Sequence, residues 1–105
     1  MERLSYTLNA AAPAKGSRRQ AIIGVVASGN LEVLAERVLP PDTCTVDIAT
    51  AAHGFAAVWQ AVFSDFAARH QAGGLRLSIN DGGARPDTVA LRLAQVVRLI
   101  EEPEA

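Results

Sequence analysis

Leu4, Tyr6 and Leu8 alternate with Arg3, Ser5 and Thr7, and this period of two predicts a half-buried strand. Residues 9–19 lose all periodicity and read as a loop. Residues 21–27 are then almost wholly apolar. From Leu31 the alternation returns, with Leu31, Val33 and Ala35 set against Glu32 and Glu36. Between these runs lies Ser28-Gly29-Asn30, which is turn chemistry: glycine and asparagine tolerate positive φ, and serine bonds to nearby backbone. The pattern predicts a β-hairpin with the Ser28 hydroxyl at its tip, exposed and reachable by another protein.

Pro40-Pro41-Asp42 ends the second hairpin strand, since proline cannot donate to a ladder. Thr43 to Thr50 alternates and is β-branched, which predicts another strand. There the period changes. Phe55, Val58, Trp59, Val62, Phe63 and Phe66 recur at helical spacing and predict an amphipathic helix that ends near Gly73-Gly74. Its aromatic face is expected to be core, with a surface for a partner subunit as the alternative. Leu75, Leu77 and Ile79 give a further strand, and Asp81-Gly82-Gly83 a turn. Pro86 and Asp87 open a helix with Val89, Leu93, Val96, Val97 and Ile100 on its apolar face. Val89-Leu91-Leu93 also fits a strand. Glu101, Glu102 and Glu104 form an acidic, frayed tail. The order predicts an α+β fold: a mostly antiparallel sheet of about five strands with two amphipathic helices packed on one face.

At 105 residues the chain suits a single domain, and 50% hydrophobic content allows a packed core. A net charge of -1 excludes the basic stripe of a nucleic-acid binder and an electrostatic membrane anchor. Cys44 is the only cysteine and alternates in phase with Val46 and Ile48, so it reads as a buried core residue in a reducing compartment. The first nine residues carry charges and no apolar signal segment, and no run approaches a membrane span. A soluble, cytoplasmic protein is expected.

The candidate chemistry narrows quickly. Ser28 lacks the Gly-x-Ser-x-Gly elbow of many hydrolases, and His53 and His70 have no reason to approach it. No catalytic residues are expected. Two histidines, one cysteine and scattered carboxylates make no metal spacing, so no metal is expected either. Lys15, Arg18 and Arg19 form the one local basic cluster. It reads as a solvated loop or as a contact for phosphates or an acidic partner.

Ser28-Gly29-Asn30-Leu31-Glu32-Val33-Leu34 resembles the modification site of the malonate decarboxylase acyl carrier (delta) subunit family, which usually shows Ser-Gly-Asp-Leu-Glu-Val-Leu. The likeness continues through the Trp-bearing helix, an Asn-Asp-x-Gly-Ala-x-Pro turn and the C-terminal helix. Three positions depart from the family pattern. Asn30 replaces Asp, Gly82 stands where Phe is common, and Asp87 follows Pro86 where Gly is common. Asparagine keeps the turn propensity and the side-chain oxygen of aspartate, so Asn30 is expected to be tolerated.

The resemblance implies that residues 1–105 form one acyl-carrier domain without catalysis of its own. It implies that Ser28 is the attachment point of a covalently bound 2'-(5''-phosphoribosyl)-3'-dephospho-coenzyme A, within an attachment motif of Gly29, Asn30, Leu31 and Glu32. The arm's thiol is expected to hold acetyl and malonyl thioesters, whose carbonyl stabilises the enolate left by departing carbon dioxide. The implied partners are an acetyl/malonyl transferase subunit, decarboxylase subunits and an arm-attaching transferase. In this reading Lys15, Arg18 and Arg19 contact phosphates of the arm or an acidic partner. Conventional acyl carriers are acidic helical bundles with the modified serine at a helix start, so only the logic of a tethered thiol is shared. The competing reading is a non-enzymatic binding or assembly module whose Ser-Gly turn is structural.

Overall fold

The computed structural model describes residues 1–103. Five strands and two helices follow in the order β1 (Glu2–Asn9), β2 (Gln20–Gly24), β3 (Leu31–Arg37), β4 (Thr43–Thr50), α1 (Ala56–Arg69), β5 (Leu75–Asp81) and α2 (Pro86–Ile100). The strands form one sheet in the order β1-β4-β5-β3-β2. All neighbours are antiparallel except β4 and β5, which run parallel because α1 carries the chain back across the sheet. The fold is the expected α+β arrangement, with both helices on one sheet face.

Strand alternation decides that face. Leu31, Val33 and Ala35 of β3, Val46 and Ile48 of β4, and Leu75, Leu77 and Ile79 of β5 are all buried. Trp59, Phe63 and Phe66 of α1 and Val89, Leu93, Val96, Val97 and Ile100 of α2 close over them. Trp59 stacks on Phe63 at 6.0 Å, and Phe63 lies 6.1 Å from Tyr6. The Tyr6 hydroxyl donates to the Ala56 carbonyl at 2.9 Å, which ties β1 to the start of α1. The opposite sheet face carries Ser5, Asp47, Arg76 and Asn80 and is open to solvent.

Several expectations are refined. The apolar run 21–27 is strand only as far as Gly24, whose φ of +82° takes the chain out of the extended region. The hairpin link is therefore the six residues 25–30. Phe55 precedes α1 and is 49% exposed, and Val58 is 41% exposed, so the aromatic face enters the core only from Trp59 onward. Residues 89–93 are helical, because Pro86 starts α2 and their spacing suits its buried face. Cys44 is buried as read, and burial pushes its thiol up to about 11. Of the acidic tail, Glu101 and Glu102 are exposed, while Glu104 lies outside the described residues.

Candidate functional site: the serine turn between the second and third strands

The Asn30 amide donates to the Ala27 carbonyl at 2.9 Å, which closes a β-turn with Ser28 and Gly29 at its centre. Gly29 has φ +74° and, among the described residues, no residue but glycine has positive φ, so the turn has type II dihedrals. A residue with a side chain fits the first central position, and glycine suits the second. Ser28 is exposed, and among the described residues its hydroxyl has no hydrogen-bond partner. A Cβ placed on Gly29 would meet nothing within 4 Å, so the space beside the serine is open. Val25 and Val26, 56% and 58% exposed, flank it with apolar surface.

The turn is loose at its tip and fixed at its base. Leu31 is fully buried and anchors the return strand. Gly82 grips the turn twice: its amide donates to the Asn30 carbonyl at 2.9 Å, and its carbonyl accepts from the Gly29 amide at 3.3 Å. This approach needs glycine, since a Cβ on Gly82 would lie 2.1 Å from the Ala27 carbonyl oxygen. A phenylalanine at this position would require a different seat for the serine turn. The loop holding Gly82 is itself set by Asp81, a buried carboxylate that accepts from Thr50 Oγ1 (2.8 Å) and from the Gly83 and Ala84 amides (3.1 and 2.9 Å). Those three donors compensate its burial. On the far side of that loop an apolar cleft of about 290 Å³ opens between Phe55, Val58, Trp59, Val62, Ala84 and Val89.

Asn30 and Glu32, which flank Leu31, make different contacts. Asn30 Oδ1 accepts from the Leu31 amide at 2.8 Å and from Arg92 Nε at 3.2 Å. Glu32 points to the open sheet face, where Asn80 donates to it at 3.3 Å. Lys15, Arg18 and Arg19 are not brought to Ser28. Arg19 pairs by backbone with Arg37, at the opposite end of the β2–β3 pair. Arg37 fixes that loop by donating to the carbonyls of Ala14 (2.7 Å), Lys15 (2.9 Å) and Arg18 (3.1 Å), and to Ile100 of α2 (3.0 Å). Arg18 also pairs with Glu102 at 3.0 Å. Among the described residues no group of His, Cys, Asp or Glu is placed to hold a metal, and no helix is long and apolar enough to cross a membrane.

Sequence reading missed Arg37, Asp81 and Arg92. Nothing in the spacing of these residues names their partners. Arg92 lies 62 residues from the asparagine it contacts.

The sheet thus carries an exposed serine on an open turn. Comparisons with known proteins place the chain in a family. The malonate decarboxylase delta subunit (MdcD) family model matches residues 18–100, and the chain belongs to that family. A malonate decarboxylase acyl carrier protein of Bradyrhizobium diazoefficiens is 64% identical over 102 residues, 97% of each chain. Its counterpart in Xanthomonas axonopodis pv. citri is 50% identical over 105 residues, the full length of both. Among solved structures, a chain in the crystal structure of a Pseudomonas malonate decarboxylase hetero-tetramer in complex with malonate superposes with a TM-score of 0.84 at 36% identity, covering 95% of this chain and 99% of that one.

Proposed function

We propose that this protein is the acyl carrier subunit of a malonate decarboxylase, and that Ser28 carries its phosphoribosyl-dephospho-coenzyme A arm. The carrying observation is the free, exposed Ser28 hydroxyl on a fixed turn inside the family's motif. The residues present fit such an arm: the tip is open beside Gly29, and Ser28 is exposed. Bound there, the arm supplies the thiol that holds the acyl group. The protein's own residues position it. Gly82 and Leu31 hold the base of the turn, Asp81 holds Gly82's loop, and the sheet keeps the assembly stiff. Tethering keeps the acyl group at high effective concentration between two active sites.

The whole chain, residues 1–105, acts as one carrier domain in the cytoplasm and leaves catalysis to its partners. Those are an acetyl/malonyl transferase subunit, decarboxylase subunits and the arm-attaching transferase. Support for a multi-subunit setting comes from the hetero-tetramer that contains the structural relative. The test is the intact mass of the protein purified from its native cell, compared with Ser28→Ala. The expected result is a mass increase equal to one arm, absent from the variant. An unmodified wild-type chain in an active complex would instead favour a structural turn in an assembly module.

A further inference from the structure

We propose that Arg92 makes the base of the Ser28 loop a phosphate-binding site, which takes a phosphate of the incoming arm and afterwards faces the phosphodiester. The inference rests on Ser28 being the attachment residue. Arg92 projects from α2 across the foot of the loop that bears Ser28. Its Nε donates to Asn30 Oδ1 at 3.2 Å, two residues after the serine. Its Cδ lies 3.5 Å from the position of a Cβ on Gly24, four residues before it. The side chain thus lies across the foot of the link, with its methylene end near Gly24 and its Nε on Asn30.

Its charge is not balanced there. Nη1 donates to Gln95 Oε1 at 2.9 Å, so both side-chain partners are neutral amide oxygens. Among the described residues no carboxylate lies within ion-pair distance of Arg92, whose side chain is only half exposed. A guanidinium has five N–H donors and two are used here, and among the described residues Nη2 has no hydrogen-bond partner. A half-buried cation held in place by neutral acceptors, with donors to spare, is a seat for an anion. The planar fork matches phosphate oxygens. The basic cluster at Lys15, Arg18 and Arg19 sits at the other end of the hairpin.

The chemistry at Ser28 calls for such a group. Attachment forms a bond from Ser28 Oγ to a phosphorus of the arm, presented as a phosphoanhydride. The anhydride P–O bond breaks, the leaving phosphate chain takes the electron pair, and the hydroxyl proton passes to a base on the modifying enzyme. Arg92 holds the phosphate oxygens beside the nucleophile during this exchange. The product phosphodiester keeps a negative charge opposite the same guanidinium.

The test needs no loaded complex. The apo protein is titrated with sodium tripolyphosphate and followed by proton–nitrogen NMR. Saturable shifts are expected at the Gly29 and Asn30 amides and at the Arg92 Nε–H. Arg92→Gln should weaken the titration at the two amides by about tenfold, the scale of one charge-assisted contact, and Arg92→Lys should restore part of it. Resonances of the buried sheet residues report that each variant is folded. With the arm-attaching transferase and a limiting activated arm, Arg92→Gln should gain mass about tenfold more slowly than wild type. No saturable shift at this loop in the wild type, or equal tripolyphosphate affinity in Arg92→Gln, would overturn the proposal. So would an Arg92→Gln chain that gains the arm at the wild-type rate. If the wild type never gains mass at Ser28 while the titration succeeds, the carrier reading fails and the phosphate site stands.

Discussion

The two ends of the β2–β3 hairpin each meet an arginine, and the arginines have different fates. At one end Arg37 gives its side-chain donors to four backbone carbonyls, on the 14–18 loop and at the C-terminus of α2. At the other end Arg92 gives two donors to two amide oxygens, and among the described residues its Nη2 has no hydrogen-bond partner. The first guanidinium has four of its five donors engaged and acts as a staple between distant segments. The second is half-used and sits under a turn whose central hydroxyl has no partner. One short hairpin thus has a closed, stapled end and an open end. The lesson concerns donor accounting: a half-buried cation with four of five N–H groups on carbonyls stabilises the fold, and one with three donors left over has room for a ligand.

The contrast can be broken at either end. The largest effect is expected from Ser28→Ala at the open end. It should abolish the arm's mass increase and malonate turnover by the assembled complex, while stability changes by less than about 0.5 kcal/mol, since an exposed unpartnered hydroxyl packs against nothing. A substantial loss of stability, measured by urea unfolding, would show that the open end is structural after all. Arg37→Met at the closed end should do the reverse. Removing a guanidinium that satisfies four carbonyls should cost about 3 kcal/mol in the same assay, with arm attachment to the folded protein unchanged.

Gly82→Ala sharpens the comparison, because it acts on the base of the open end. The new Cβ would meet the Ala27 carbonyl at 2.1 Å, so the serine turn must shift. A cost of about 1–3 kcal/mol is expected, the usual range for overpacking, together with slower attachment by intact-mass kinetics. Unchanged attachment would mean that the seat of the turn does not matter to the modifying enzyme. The smallest effect is expected from Asn30→Asp. The acceptor oxygen for Leu31 and Arg92 remains, and the added charge pairs with the guanidinium and competes with phosphate. Attachment should slow by only about two- to threefold, the effect of an exposed ion pair on a charged contact. A complete loss would show that this chain's modifying enzyme reads the neutral asparagine directly.

The serine turn was legible because its causes are local. An apolar run, Ser-Gly-Asn and a return to alternation specify a hairpin, and the surrounding seven residues carry the family pattern. The end of β2 was less legible. Val25, Val26 and Ala27 are as apolar as Ile22 and Ile23, and only the positive φ of Gly24 removes them from the strand. Phe55 was misjudged as core for a similar reason: it keeps the helical spacing but precedes the first turn of α1 and stays 49% exposed at the rim of the cleft.

From the sequence alone came the strands, the helices, their buried faces and the exposed serine, because periods of two and 3.6 and the chemistry of a turn are written in neighbouring residues. Only the tertiary structure decided what surrounds the serine. Gly82 arrives from the end of β5, Arg92 from α2 and Arg37's carbonyl partners from two other segments, through the parallel β4–β5 crossover and the packing of α2 over β3. Which donors a side chain finds depends on contacts across the sheet, and those distances belong to the folded chain rather than to any run of residues.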